Sequence, residues 1–234
     1  MVVSRLRFAF TFGLMLLGLL AVLAPLTARA DDDAQFPIMA DDGSVIANHS
    51  VPPELVERIE MLKNIVVVAN PKGRVTLYEF YDLNCPFCRR ASLDLAELTQ
   101  THRDLRLVLV PFPVLGIPSI LAARVEYAVA KMASPEKFYK FHHIIYGDRG
   151  VIDDKRAFAA AQAIGLDNVA VRKIASEDAF ATVMKEHLHV GDQLGIQATP
   201  GIVVGGVTFV GYPGKKALTR VVEAVAKCGT VMCP

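Results

Sequence analysis

The feature that most constrains this chain is a strand–helix–strand pattern in its first half. Residues 74–82, RVTLYEFYD, are rich in β-branched and aromatic residues, which is typical of a strand. Apolar residues then recur at helical spacing as far as His102, and residues 105–114, LRLVLVPFPV, again have the composition of a strand. A strand, a helix and a second strand within about 40 residues predict a βαβ unit whose two strands are parallel.

The chain beyond this unit contains a block of helices, then a hairpin and a last helix. Residues 116–195 have helical patterns and lack a good strand. Two short apolar runs, GIVV and VTFV, flank Gly205-Gly206, and a Gly-Gly pair between such runs is a strong hairpin signal. The segment 215–227, KKALTRVVEAVAK, has its apolar residues on one helical face. The order βαβ, helical block, ββα predicts an α/β fold.

The segment before the βαβ unit carries weaker signals. Residues 31–50 are polar and acidic and show no period, so we predict a loose N-terminal arm there. Pro52-Pro53 then breaks the chain, and apolar residues at helical spacing predict a helix over residues 54–67. This helix either packs on the rest of the domain or pairs with another chain, and we expect a monomer.

Residues 1–30 have the pattern of a secretory signal peptide. Arg5 and Arg7 form a short basic start, residues 8–26 are almost wholly apolar, and the Ala-Arg-Ala at 28–30 has the pattern that signal peptidase cleaves. An uncleaved membrane anchor is the alternative, because the apolar run approaches the length that spans a bilayer. We predict a cleaved leader and an exported protein.

The cysteine count and the charge narrow the class of protein. All four cysteines follow the predicted leader, and disulfides form and persist outside the cytosol. A chain of 234 residues with only four cysteines is not held together by disulfides alone, so each pair needs a local explanation. The net charge of +1 gives no sign of the basic surface that nucleic-acid binding requires.

Cys85 and Cys88 lie where the first predicted strand ends and the helix begins. Residues i and i+3 are neighbours on a helix, so two sulfurs at this spacing can bridge. Pro86 suits the first helical turn because its missing N–H costs nothing there. Cys85 would face unpaired backbone N–H groups and the positive end of the helix dipole, which favour thiolate over thiol. The pair is a candidate redox-active disulfide, with half of a metal site or a structural clasp as alternatives.

Glu79 lies six residues before Cys85, within the first predicted strand. If the neighbouring residues are core, a carboxylate there is costly unless it has a purpose. It could accept or deliver the proton of Cys88 during thiol exchange. The alternative is a glutamate that faces solvent.

The motif EFYDLNCPFC, the helical block and the Thr-Pro before the hairpin together resemble a known family. They are similar to the thioredoxin-like thiol:disulfide interchange proteins of the bacterial periplasm, and within these most similar to the DsbA family. The resemblance spans residues 70–227 and implies a thioredoxin-like fold with an inserted all-helical domain. The implied division is an N-terminal arm and helix at 31–70, a thioredoxin-like domain at 71–115 and 196–228, an inserted helical domain at 116–195, and a C-terminal tail at 229–234.

The resemblance also implies a role for each residue that matches the family's motifs. Cys85 would be the attacking nucleophile and Cys88 the resolving cysteine of a redox-active disulfide. Pro200 would be the cis-proline beside the pair, and Thr199 would contact the sulfurs and the backbone of bound substrate. Glu79 matches the family's buried acid.

Two departures from the family pattern leave the direction of electron flow open. The dipeptide between the cysteines is Pro86-Phe87, whereas the strongest oxidases have Pro-His, so a histidine's support for the thiolate is absent. Pro86 and Phe87 would instead border the bound substrate. Thr199 before the proline is more usual in the isomerase relatives than in the best-known oxidases.

The function implied by the resemblance is that of an exported, periplasmic thiol:disulfide oxidoreductase that forms or exchanges disulfides and needs no cofactor. Its partners would be unfolded or reduced exported proteins and a membrane redox protein, either a quinone-linked oxidase or an electron donor. A disulfide isomerase or reductase of the same fold is the first alternative. A non-catalytic chaperone or copper-binding protein is the second, since soft thiolates select copper.

A second cysteine pair, Cys228 and Cys233, lies where the last predicted helix ends, with Gly229 as a natural C-cap. We predict a structural disulfide here, with an auxiliary redox pair as the alternative. The two cysteine pairs together could in principle bind zinc, but export favours disulfides. No metal site is therefore predicted.

Overall fold

The computed structural model describes residues 34–147 and 149–234, and the predicted signal peptide lies outside them. Strands in this part of the chain are β1 Asn48–Ser50, β2 Val66–Ala69, β3 Val75–Tyr81, β4 Leu105–Pro111, β5 Gly201–Val204 and β6 Val207–Val210. Helices are α1 Pro53–Glu60, α2 Pro86–Thr101, α3 Ile117–Met132, α4 Pro135–Gly147, α5 Asp154–Ala163, α6 Asn168–Ala175, α7 Ala179–Gln193 and α8 Lys215–Cys228. No helix in the described ranges has the length and apolar character needed to cross a membrane.

The strands form one six-stranded sheet in the order β1-β6-β5-β3-β4-β2. β3 and β4 are parallel and are joined by α2, so the predicted βαβ unit is confirmed. The other paired strands are antiparallel, including the β5–β6 hairpin that turns at the predicted Gly-Gly pair. This arrangement places the end of β3 and the start of β5 at the same edge of the sheet.

Both faces of the sheet are covered by helices. Alternate residues of β3 point to opposite faces, and this central strand is buried on both. Leu77 and Tyr81 belong to the core beneath α2, α4 and α8, whereas Tyr78 and Phe80 pack with α1 and α7. α7 begins against α3 and ends against the sheet, so the last helix of the predicted insertion also covers the second face.

The predicted helix over residues 54–67 is wrong in its second half. α1 ends at Glu60, and Val66–Ala69 forms β2, which is antiparallel to β4. Asn64 has a φ of 65°, a left-handed conformation that no helix continues through. Three successive valines follow it, and β-branched side chains with restricted χ1 favour a strand.

The prediction of a loose arm is wrong for its described part, residues 34–50. β1 pairs with β6 and so extends the sheet at its edge. The Asn48 side chain accepts a hydrogen bond from the Phe36 N–H at 2.9 Å and donates to the carbonyl oxygens of Phe36 and Ile46, both at 2.8 Å. The polar composition of this segment therefore serves specific hydrogen bonds.

The same arm caps the last helix of the chain. The Asp41 carboxylate accepts hydrogen bonds from the backbone N–H groups of Lys216 at 3.0 Å and Ala217 at 2.8 Å, in the first turn of α8. A carboxylate at a helix N-terminus satisfies unpaired N–H groups and favours the helix dipole. These contacts join residues 175 and 176 positions apart, which explains why no local pattern reveals them.

Candidate active site

The two cysteines lie at the junction of β3 and α2. Cys85 is the N-cap of α2, and Pro86 occupies the first helical position, where it loses no hydrogen bond. The Cys88 N–H donates to the Cys85 sulfur at 3.4 Å. Cys88, one turn into the helix, is 0% exposed, whereas Cys85 is 4% exposed at the surface end. Both are free thiols here.

Thr199 and Pro200 reach this junction from the other end of the folded chain. They directly precede β5, which pairs with β3, and their peptide bond is cis. The Thr199 carbonyl oxygen accepts a hydrogen bond from the Cys85 thiol at 3.1 Å. Both residues therefore lie beside the dithiol, where the family resemblance implies them.

The two cysteines differ in acidity. Hydrogen bonds lower the pKa of Cys85 to about 6: the Cys88 thiol contributes most, followed by the Thr199 side chain and the N–H groups of Cys88 and Phe87, and together they outweigh burial. Burial raises the pKa of Cys88 well above its ordinary value, and the charges of Glu79 and Cys85 raise it further. Near neutral pH the dithiol is therefore a Cys85 thiolate beside a Cys88 thiol.

Glu79 lies on β3, on the face that α2 covers. It is 1% exposed, which excludes the solvent-facing alternative. Both carboxyl oxygens lack a hydrogen-bond partner among the described residues. Burial, with a smaller contribution from the charge of Cys85, raises the pKa of Glu79 to about 8. A carboxyl that titrates near neutral pH beside a thiol is suited to exchanging a proton with it.

Sequence reasoning missed Asp82, the acid that orders the loop before Cys85. Its carboxylate is 1% exposed and accepts four hydrogen bonds at 2.7 to 2.9 Å. The donors are the N–H groups of Asn84, Val114 and Leu115 and the hydroxyl of Ser119. Asp82 thereby ties the loop before Cys85 to the start of α3. The only signal was an acid between a strand and the CPFC motif.

Sequence reasoning also missed a second buried acid, Glu126 of α3. The Tyr81 hydroxyl donates to it at 2.6 Å, and His142 Nδ1 lies 4.0 Å from the same oxygen. Burial raises the pKa of Glu126 to about 8 and lowers that of His142 to about 3. Tyr146 packs edge-on against His142 and donates its hydroxyl to the Asp82 carbonyl oxygen at 3.1 Å. This cluster joins β3 to α3 and α4.

A shallow groove of about 510 Å³ begins at Cys85. It is lined by Asn84, Cys85, Pro86, Arg89, Leu115, Pro118, Gly150 and Val151. Leu115 and Val151 of this lining are exposed apolar side chains. Their chain neighbourhood adds further exposed apolar side chains, namely Val114, Ile117 and Phe87, the last of which is 57% exposed. Exposed apolar side chains grouped near a groove are typical of binding sites for other chains.

The second cysteine pair forms a disulfide between Cys228 and Cys233. Gly229 ends α8 in a left-handed conformation with a φ of 78°, which is the C-cap geometry expected for glycine. A four-thiolate zinc site would need all four cysteines as ligands, and two of them are bonded to each other. Within the described ranges, no three His, Cys, Asp or Glu residues come together as a metal site.

Comparison with known protein families decides the family of the chain. The sequence profile described as Thioredoxin matches residues 62–224, which include the dithiol, the helical block and the Thr-Pro beside the dithiol. The chain belongs to the thioredoxin family. This thioredoxin-family protein matches no protein in a comparison with curated sequences.

Solved structures share its fold. A thioredoxin-like oxidoreductase from Silicibacter pomeroyi is 28% identical, with a TM-score of 0.67 over 74% of this chain and 98% of that one. A periplasmic thioredoxin-like protein from Salmonella enterica serovar Typhimurium is 22% identical, with a TM-score of 0.66 over 75% of this chain and 97% of that one. The thiol-disulfide exchange protein alpha-DsbA2 from Wolbachia pipientis is 22% identical, with a TM-score of 0.63 over 74% and 96%. The predicted thioredoxin-like fold is confirmed.

The thioredoxin-family fold and the dithiol at its helix N-terminus identify the class of chemistry. A low-pKa thiol paired with a buried thiol one turn away is the arrangement that performs thiol–disulfide exchange. The thioredoxin-family protein is a thiol–disulfide oxidoreductase.

Proposed function

We propose that this protein is an exported oxidoreductase that donates the Cys85–Cys88 disulfide to reduced proteins in the bacterial periplasm. The observation that carries the proposal is the acidity of Cys85, whose pKa is lowered to about 6. Stabilising the thiolate stabilises the reduced protein, and a disulfide whose reduced form is stabilised is a stronger oxidant. Electrons therefore pass from the substrate thiols to the Cys85–Cys88 disulfide.

The groove beside Cys85 supports a protein substrate. Its walls are apolar around Leu115, Pro118 and Val151, and it is open and shallow, as an extended unfolded segment requires. The Thr199 carbonyl oxygen contacts the Cys85 sulfur and Pro200 follows it, while Pro86 and Phe87 follow Cys85 in the first turn of α2. These four residues are the proposed substrate-binding residues.

The proposed reaction proceeds in two exchanges. A substrate thiolate attacks the Cys85 sulfur of the Cys85–Cys88 disulfide, and Cys88 leaves as a thiolate that takes a proton from Glu79. A second substrate thiolate then attacks the substrate sulfur of the mixed disulfide and releases the Cys85 thiolate. The substrate is oxidised to its disulfide, and the protein is left as a dithiol. Cys85 is a good leaving group because its pKa is low.

A cycle of this kind needs an oxidant that restores the disulfide. We assign that role to a quinone-linked membrane protein that accepts the electrons of the dithiol. Export rests on the leader pattern of residues 1–30, and a disulfide between Cys228 and Cys233 agrees with an oxidising compartment. The protein would act as a monomer.

One observation favours isomerase or reductase activity as a second candidate. The hydrogen bond from the Cys85 thiol to the Thr199 carbonyl oxygen exists only while the sulfur is protonated. It stabilises the thiol and opposes the donors that stabilise the thiolate. A weaker oxidant that reshuffles or reduces disulfides would result if this bond dominated.

Refolding assays separate these functions. The oxidised protein is mixed with a reduced secreted protein, and in parallel the reduced protein is mixed with a scrambled form of the same substrate. An oxidase restores activity to the reduced substrate in stoichiometric amounts and leaves the scrambled one inactive. Rescue of the scrambled substrate alone would support the isomerase. Loss of both activities in Cys85→Ser is expected, and their retention would refute the mechanism.

A further inference from the structure

The buried position of Cys88 creates a proton-transfer problem that the exchange mechanism leaves open. When a disulfide partner is bonded to Cys85, it covers the groove, and Cys88 itself is 0% exposed. Cys88 must lose its proton before it can resolve that mixed disulfide. Glu79 is suited to accept the proton, but Glu79 is also buried and must pass it on.

Two further buried hydroxyls lack a protein partner in the same layer of the molecule. They are Ser92 Oγ on α2, one turn beyond Cys88, and the Tyr139 hydroxyl on α4. The two unpaired oxygens of Glu79 lie on β3, which packs with α2 and α4 in one core, and none of these buried polar atoms makes a hydrogen bond to a described residue. Buried polar atoms without protein partners are the sites at which proteins hold internal water.

Tyr139 connects this interior to a second groove. Its hydroxyl is buried, while its side chain lines a groove of about 680 Å³ between α2, α4 and β2. Burial raises the pKa of Tyr139 and the charge of Glu79 raises it further, while the side chain of Thr99 lowers it, so the hydroxyl lies within electrostatic range of the Glu79 carboxyl. The ring centroids of Tyr139 and His143 are 4.3 Å apart, and His143 also lines the groove.

The hydroxyls of the other two tyrosines near the dithiol donate hydrogen bonds to fixed acceptors. Tyr81 donates to Glu126 at 2.6 Å, and Tyr146 donates to the Asp82 carbonyl oxygen at 3.1 Å. The titratable groups that respond to the charge of Glu79 are Cys88, Tyr81, Tyr139 and Tyr146. Of the three tyrosines, Tyr139 is the one whose hydroxyl makes no hydrogen bond to a described residue, although the side chain of Thr99 lies close enough to lower its pKa.

We propose that Tyr139, assisted by Ser92 and internal water, carries protons between Glu79 and the groove between α2 and α4. Tyr139 acts through Glu79 and does not touch the sulfurs, so it is a positioning residue. The inference rests on the proposed function and deepens it. It gives protons of the dithiol a second route to solvent, through the groove between α2 and α4, which stays open while the substrate groove is occupied.

The proton balance can be written for oxidised glutathione as the disulfide. The Cys85 thiolate breaks the glutathione disulfide and becomes a mixed disulfide, releasing one glutathione thiolate. Cys88 gives its proton to the Glu79 carboxylate, and the proton leaves through the Tyr139 hydroxyl and water to the groove. The Cys88 thiolate then attacks Cys85, the Cys85–Cys88 bond forms, and the second glutathione leaves as a thiolate with the electron pair.

The test measures resolution of the glutathione mixed disulfide by rapid mixing of the reduced full-length mature protein, in water and in deuterium oxide. Tyr139→Phe keeps the ring and removes only the hydroxyl. We expect it to slow resolution about tenfold and to raise the solvent isotope effect, because acid–base assistance is worth at least that much. Ser92→Ala should likewise slow resolution and raise the solvent isotope effect.

Tyr127→Phe is the matched control, since Tyr127 lies on α3 against Phe180 and away from Glu79. It should leave both quantities unchanged. The Cys85–Cys88 reduction potential should be the same in all variants, because a relay alters rates and not the equilibrium. Wild-type resolution rates and isotope effects in both Tyr139→Phe and Ser92→Ala would overturn the proposal, as would a shifted potential. Glutathione replaces a protein substrate here, so failure of the refolding assays leaves this test intact.

Discussion

The Thr199 carbonyl oxygen lies 3.1 Å from the Cys85 sulfur, although 114 residues separate the two in the chain. The contact exists because β5 pairs with β3, which brings the segment before β5 to the start of α2. It gives the sulfur an acceptor for its proton, while the Cys88 N–H gives it a donor for its negative charge. These two contacts act together with the Cys88 thiol, which contributes most to lowering the pKa of Cys85 and so to the oxidising power of the dithiol.

The first prediction concerns the reactivity of Cys85 with pH. The rate of alkylation by iodoacetamide should rise with the thiolate fraction and reach half of its maximum near pH 6, because hydrogen bonds lower the pKa of Cys85 to about 6. Cys88→Ala should raise the midpoint, since the Cys88 thiol makes the largest contribution. Mass spectrometry of the reduced protein, quenched at timed intervals, measures the rate of alkylation at each pH. A midpoint near the ordinary cysteine value of 9.0 would contradict the assigned hydrogen bonds.

The second prediction concerns the stability of Glu79→Gln. The pKa of Glu79 rises from an ordinary 4.5 to about 8 on folding, so the folded reduced protein holds this proton more tightly than the unfolded chain. The contribution of this tighter proton binding to the free energy of unfolding is complete below about pH 4.5 and is lost as the pH rises to about 8. Relative to the wild type, Glu79→Gln should therefore gain free energy of unfolding over that window, by at most about 1.4 kcal/mol per pH unit.

Urea denaturation of the reduced proteins at several pH values measures this difference. Glu57→Gln, at an exposed position of α1, is the matched control for the loss of a carboxylate, and the Glu79→Gln difference is compared with it at each pH. A difference for Glu79→Gln that stays parallel to that of the control from pH 4.5 to pH 8 would show that the Glu79 carboxyl titrates normally.

The third prediction concerns Asp82→Asn. The amide keeps one oxygen, but its NH₂ group cannot accept, so buried donors of Val114, Leu115 or Ser119 lose their partner. Leaving buried donors unpaired should cost about 3 kcal/mol of the free energy of unfolding, measured by urea denaturation. Asp104→Asn removes an exposed carboxylate paired with Arg74 at 2.5 Å and should change stability little. Equal losses in the two variants would show that Asp82 does not organise the loop.

The local patterns of the chain predicted the parts of the fold that neighbouring residues determine. Strand composition and helical spacing predicted the βαβ unit, and the Gly-Gly turn predicted the hairpin. Both structures occur where they were expected. The position of Cys85 at the helix N-terminus follows from the same local rules, because Pro86 fits the first turn. The place of Thr199 beside the sulfur came from the family resemblance, since no local rule brings distant segments together.

The parts that sequence patterns missed depend on long-range contacts. The helix predicted over residues 54–67 extended into the first two residues of β2, because the apolar spacing runs on from α1. Strand pairing with the distant β4 determines the structure there instead. The segment before β1 was predicted to be loose, yet Asp41 caps α8 and Asn48 holds Phe36. Asp82 and Tyr139 could not be singled out, because their importance comes from which donors and buried acids surround them in the fold.

The most direct test of the central claim is the reduction potential of the Cys85–Cys88 disulfide, measured by equilibration with glutathione. Disulfide oxidases of the DsbA type lie near about −120 mV, protein disulfide isomerase near about −180 mV and thioredoxin near about −270 mV. A stabilised Cys85 thiolate predicts a potential between about −180 and −120 mV, which suits a protein that donates disulfides. A potential below about −180 mV, towards that of thioredoxin, would contradict the proposed direction of transfer.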